Sequence, residues 1–147
     1  MIVYADSSVV VRSYLADESD HAEVRMLLND PELTVITGSW TLIEVTGSLV
    51  RAANAHRGDK EGLLASFERD INAATGSIAV VNAEQAEIER IALELVRSGG
   101  LRSTDAWHLA CASLAFDELA EPGEERGFAT RDAEQAAVAR EMGFTTL

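Results

Sequence analysis

The sequence predicts an α/β fold: one parallel sheet of about five short strands with helices on both faces. Three observations predict it. Short β-branched runs alternate with helical periodicity along the whole chain, and strand–helix–strand units of that kind pair their strands in parallel. A length of 147 residues with 47% apolar content is enough for one sizeable core. The first apolar run, Ile2-Val3-Tyr4-Ala5, stops abruptly at a carboxylate, Asp6, where open parallel sheets hold their ligands.

The elements follow in order. Residues 2–5 read as a buried strand, and residues 8–16, with Val9, Val10, Tyr14 and Leu15, as a helix. A second helix is predicted over 20–29 with Asp20 at its N-cap, and "DPE" at 30–32 is a turn because proline disfavours helix for the residue before it. "LTVIT", 33–37, is a strand. Ser39 is expected to cap a helix from about Trp40 to His56, and "RGDK", 57–60, breaks it. A helix over 60–75 carries Leu63, Leu64, Phe67 and Ile71 and ends at Gly76; "SIAVV", 77–81, is a strand. In 84–97, Ile88, Ile91, Ala92 and Leu95 fall at i, i+3, i+4 and i+7, and "SGG", 98–100, stops that helix. The alanine-rich segment 103–119 is a closely packed helix, "EPGEER" a loop, and "GFAT", 127–130, a strand. Residues 132–142 form the last helix, closed by Gly143, and "FTTL", 144–147, a final edge strand. One domain is expected over 1–147, without repeats or linkers.

The composition excludes several classes of function. Apolar runs are too short for a transmembrane helix, and no basic region followed by a long apolar stretch opens the chain, so neither membrane nor secretion is expected. A single cysteine, Cys111, forms no internal disulfide, and a cytoplasmic setting is the expectation. Twenty-five acids against 12 bases, a net charge of −13, argue against a general nucleic-acid coat. They leave open an enzyme that grips phosphates through divalent cations, since such a site is itself acidic.

Four carboxylates fall near the starts of helices leaving one edge of the predicted sheet: Asp6 after the first strand, Glu44 about one turn into the helix after the second, Asp105 in the first turn of its helix, and Asp132 after "GFAT". Taken singly, each aspartate has an ordinary explanation as a cap or first-turn acid, and Asp132 with Gln135 makes a capping box. Glu44 lies opposite the apolar stripe Leu42, Val45, Leu49, Ala52 and Ala53, beside Trp40, Gly47, Ser48 and Arg51, and a surface glutamate is its ordinary reading. Taken together they mean more. Carboxylates brought within a few ångströms resist joint ionisation unless a cation compensates them. Hard oxygen donors suit Mg²⁺ or Mn²⁺, and no His/Cys cluster competes, because His21, His56 and His108 are dispersed.

The segments "MIVYADSSVVVRSYL", "SWTLIEVTGSLVR", "LRSTDAWHLACASL" and "FATRDAEQAAVAREMGF" resemble, in order and spacing, the PIN-domain nucleases, and most closely the toxin component of VapBC-type toxin–antitoxin pairs. The resemblance spans nearly the whole chain. It implies a Mg²⁺- or Mn²⁺-dependent endoribonuclease whose acidic quartet is Asp6, Glu44, Asp105 and Asp132. Asp6 and Asp105 would ligate directly, Glu44 would ligate or orient the attacking water, and Asp132 would ligate directly or through water. Cleavage would leave a 5′-phosphate and a 3′-hydroxyl. It also implies an RNA substrate, a small antitoxin whose basic tail blocks the acidic cleft, and a homodimer.

Ser7 and Thr130 are supporting candidates that could hold carboxylates or waters, with capping as the equal alternative. His108, three residues after Asp105, could touch substrate, against a structural role. Arg12, Arg102 and Arg131 could meet phosphates, against ion pairing. Trp40 and Trp107 could stack bases, against packing, and Cys111 reads as a small core residue. Two rival functions remain at this level: a PIN nuclease of RNA processing without an antitoxin, and a non-enzymatic acidic α/β binding module. A phosphoryl-transfer enzyme of another kind lacks support, because no phosphate-cradling glycine loop follows the first strand.

Overall fold

The computed structural model describes all 147 residues. Along the chain run β1 (Ile2–Ala5), α1 (Ser7–Arg12), α2 (His21–Leu28), β2 (Thr34–Gly38), α3 (Ser39–Asn54), α4 (Lys60–Asp70), β3 (Ala79–Val81), α5 (Gln85–Gly99), α6 (Ser103–Leu119), β4 (Arg126–Ala129), α7 (Ala133–Glu141) and β5 (Thr145–Thr146). The five strands pair in the order β3-β2-β1-β4-β5, all in parallel. The class expected from the sequence is the class observed.

The strand order places the site. From β1 the chain builds outward through β2 to β3, then returns to lay β4 on the other side of β1 and β5 beyond it. The order therefore reverses at β1 and β4, whose register pairs Ala5 with Ala129. Side chains on a strand alternate between faces, and β1 is buried on both. Ile2 and Tyr4 join the core under α5, α6 and α7, while Val3 and Ala5 join the core under α1, α3 and α4. The helix α6 is buried along most of its length, including Ala106, Trp107, His108, Leu109, Ala110, Cys111 and Ala112, so its alanines allow close approach to the sheet. No helix is long and apolar enough to cross a membrane.

Several element boundaries differ from the sequence reading. The first helix ends at Arg12 rather than near residue 16, where Ser13 turns its hydroxyl onto the Val10 carbonyl. The helix expected over 60–75 stops at Asp70, because Asn72 accepts from the Ala74 N–H and the Thr75 hydroxyl and so closes a turn of its own. Ser39 is the first helical residue of α3, not its cap; Gly38 holds that position. Asp20 does sit at the N-cap of α2 but makes no capping bond, since Arg12 and Arg131 take its oxygens. At the end of α5, Gly100 adopts φ 66°, the left-handed turn that glycine enters without strain.

Candidate active site

Asp6 follows β1 and Asp132 follows β4, so the two flank the point where strand order reverses. Asp6 is 4% exposed. Its Oδ1 accepts from the Ser8 hydroxyl at 2.6 Å and the Val9 N–H at 3.1 Å, capping α1. Its Oδ2 lies 2.9 Å from Thr130 Oγ1. Burial pushes the Asp6 carboxyl above its ordinary range, against the opposing pull of the Ser8 hydroxyl, the His108 imidazole, the Val9 N–H and the Thr130 hydroxyl.

Thr130 ties this carboxylate to the other two aspartates. Its hydroxyl accepts from the Asp132 N–H at 3.0 Å and lies 2.6 Å from Gln135 Oε1. The single hydroxyl proton of Thr130 is shared between Asp6 Oδ2 and Gln135 Oε1, both within hydrogen-bond reach. Gln135 is fully buried and donates from Nε2 to the backbone carbonyl of Asp105 at 3.2 Å. Asp132 caps α7, accepting from the N–H groups of Glu134 and Gln135; Gln135 does not reciprocate, so half of the expected capping box forms.

Asp105, in the first turn of α6, is half-buried, and its carboxylate joins none of these hydrogen bonds. Burial raises its proton affinity, Asp132 and Asp6 raise it further, and Arg102 and His108 offset part of the effect. Asp105 thus feels the charge of two aspartates that follow other strands.

Glu44 on α3 is held from two directions. Its Oε2 accepts from Ser7 Oγ and from His108 Nε2, both at 2.7 Å. Burial alone would raise its proton affinity, but the bonds from His108 and Ser7 outweigh burial and hold the carboxyl below its ordinary value. His108 is 2% exposed, and its Nδ1 lies 2.9 Å from Tyr4 Oη, which in turn accepts from the Gly38 N–H at 3.0 Å. The imidazole thus bridges Tyr4 at Nδ1 and the Glu44 carboxylate at Nε2.

The cation test turns on donor chemistry. The four candidates offer only hard oxygens, and the Asp105 carboxylate accepts no hydrogen bond and is only partly offset by Arg102 and His108, a donor chemistry that suits a hard divalent cation. No three His, Cys, Asp or Glu side chains surround one point at ligand spacing, so the four predicted carboxylates are not gathered into a ready ligand set.

Neighbouring residues complete the picture. A groove of about 540 Å³ beside Glu44 is lined by Ser7, Ser8, Arg12, Ser48 and Arg51. Arg12 pairs with Asp20 at 3.1 Å, and Arg131 pairs with Asp20 and Glu23, so both serve the packing of α2. Arg102 is exposed beside Asp105. Cys111 is a buried free thiol in the core. Sequence reasoning left His108 between substrate contact and a structural role, gave Gln135 only a capping role, and did not name Tyr4 as a site residue. The available signal was a polar group at the centre of an apolar strand or helix face: Tyr4 in "IVYA", His108 in "AWHLA".

The family model for the PIN domain matches residues 3–141. No curated protein matches the chain. Among solved structures, VapBC-1 from nontypeable Haemophilus influenzae superposes with a TM-score of 0.58 over 100% of this chain and 97% of that chain, at 13% sequence identity. At that identity the likeness is one of fold.

Proposed function

The chain belongs to the PIN-domain family, and from that premise we propose that it is a metal-dependent endoribonuclease, the toxin component of a type II toxin–antitoxin pair. The observation that carries the reading is Asp105. This half-buried carboxylate accepts no hydrogen bond, and burial, Asp132 and Asp6 raise its proton affinity against only a partial offset by Arg102 and His108, a balance that a cation would complete.

Asp6, Asp105 and Asp132 would hold Mg²⁺ or Mn²⁺, with Glu44 as a further ligand or as the base that orients the attacking water. A divalent ion there supplies a nucleophile at neutral pH and shields charge on the phosphoryl oxygen. The chain's own residues prepare the rest. Ser8, Val9 N–H and Thr130 fix the Asp6 carboxylate from behind, so its orientation is set before substrate arrives. Ser7 and His108 occupy Glu44 Oε2 and leave Oε1 for water or ion. Glu44 stays ionised under this arrangement, as a proton acceptor or oxygen ligand requires.

The antitoxin and cytoplasmic setting are parts of the same reading. The structural neighbour is a VapBC-1 complex. A net charge of −13 favours a partner with a basic tail. A homodimer also belongs to it, and sedimentation of the purified chain checks that point.

The test is cleavage of a labelled RNA with Mg²⁺ or Mn²⁺ by single Asp6→Ala, Glu44→Ala, Asp105→Ala and Asp132→Ala variants. Loss on the order of a hundredfold or more is expected for the first three. Undiminished cleavage by those three while the wild type is active would remove the assignment.

A further inference from the structure

The chain has two tryptophans, and they lie together. Trp40, in the first turn of α3, stacks on Trp107 of α6 with ring centroids 5.2 Å apart and planes 11° from parallel. Trp107 is 5% exposed, but Trp40 is 39% exposed, an unusual loss of burial for the largest apolar side chain. The pair walls a largely apolar cavity of about 360 Å³ closed by Gln85, Glu89 and Leu93 of α5 and by Ser103. Trp40 also borders a hollow of about 270 Å³ shared with Ile43, Glu44 and Thr104. The aromatic cavity therefore adjoins the carboxylate site, meeting it at one side chain.

A second observation concerns Trp107. Its Nε1 is the one buried side-chain polar atom in the protein without a hydrogen-bond partner. A buried indole N–H ordinarily finds an acceptor, so the packing of Trp107 against Trp40 leaves one donor unsatisfied in the interior. At the rim, Gln85 Nε2 donates to Glu89 Oε1 at 2.8 Å, which leaves amide and carboxylate oxygens able to accept from a ligand edge.

We propose that this cavity seats a nucleobase of single-stranded RNA, the base of a nucleotide next to the phosphate held at the carboxylates. The proposal rests on the nuclease reading and names where its substrate is gripped. Trp40 and Glu44 are four residues apart on one helix, about one turn or 5.4 Å along the axis, the scale of the offset between a nucleotide's base and its phosphate. An aromatic face flanked by acceptors is chemistry that takes a base, and stacking tolerates any base because each has a π-face. The net charge of −13 leaves little general attraction for RNA, so contacts to bases carry more of the recognition.

Both tryptophans stand in the cavity wall, so indole fluorescence reads this cavity alone. The full-length Asp6→Asn protein, in chelator, is titrated with AMP, GMP, CMP and UMP, and with ribose 5-phosphate as the ligand lacking a base. Saturable quenching by at least one nucleotide and none by ribose 5-phosphate is expected, lost in Trp40→Ala and kept in Trp40→Phe. In parallel, Trp40→Ala in the otherwise native protein is expected to raise KM for a short RNA about tenfold or more, with Trp40→Phe near wild type. RNA cleavage by the wild type together with unchanged fluorescence and an unchanged KM in Trp40→Ala overturns the cavity and leaves the nuclease intact. Base-dependent quenching without any RNA cleavage does the reverse. Emission that shifts with protein concentration and ignores nucleotides shows a second copy covering this face, and overturns the proposal.

Discussion

Asp6 is held ready by its donors and penalised by its burial, and the balance has a measurable sign. Burial raises its carboxyl above the ordinary value, so the folded chain binds that proton more tightly than the unfolded chain does. At pH below the unfolded value both states are protonated and the burial penalty is absent. As pH rises through the raised folded value, stability is lost. Asp6→Asn is therefore expected to stabilise the cation-free protein at neutral pH, with the advantage shrinking on acidification; melting curves across pH check it. Thr130 accommodates the amide by accepting from its N–H₂ while donating to Gln135. His108 offers a second case. His108→Ala removes a donor from Glu44 and a partner from buried Tyr4. It is expected to cost about 1–3 kcal/mol in denaturant unfolding and to lower cleavage about tenfold to a hundredfold. If His108 acts by positioning Glu44, the activity loss falls mainly on kcat, and His108→Gln, which keeps an N–H donor, restores activity more than stability.

At the scale of the element, the junction of β2 and α3 carries both halves of the site. The chain turns at Gly38 directly from strand to helix, with no loop between. A Cβ at Gly38 would lie 2.5 Å from Tyr4 Oη and 2.7 Å from Trp107 Cζ3, both in packed, immobile surroundings. Gly38→Ala is thus expected to destabilise by about 1–3 kcal/mol. It should also blue- or red-shift the indole emission and weaken cleavage, because the Tyr4–His108–Glu44 chain and the tryptophan pair meet there. An alanine variant that melts and cleaves like wild type would show that the junction yields. The helices α3 and α6 set their functional residues differently: α3 buries one apolar stripe and leaves Glu44 off it, while α6 is buried nearly all round and leaves its first turn, with Asp105, less covered.

For the whole molecule, the parallel sheet gathers helix starts on one rim, and with them anionic groups whose repulsion only folding creates. Mn²⁺ or Mg²⁺ is expected to stabilise the wild type by about 2.7 kcal/mol at a hundredfold excess over Kd, raising the melting temperature by about 2–4 °C for each kcal/mol. Asp105→Asn should abolish that gain. An equal shift in wild type and variant would place the cation elsewhere on an acidic surface.

The amino-acid sequence by itself determined the class of the fold, the approximate place of every strand and helix, and the presence of carboxylates at strand ends, because periodicity and chain punctuation are local properties. It misjudged where α1 and α4 stop, since Ser13 and Asn72 close their turns through side-chain bonds that compete with a continuing apolar pattern. Only the tertiary structure decided that strand order reverses between β1 and β4, that Tyr4 meets His108 across 104 residues, that His108 reaches Glu44, and that the two tryptophans stack. Those are pairings between segments far apart in the chain. Their energy comes from burial and hydrogen bonds formed after the segments are brought together, so no short window of sequence carries it.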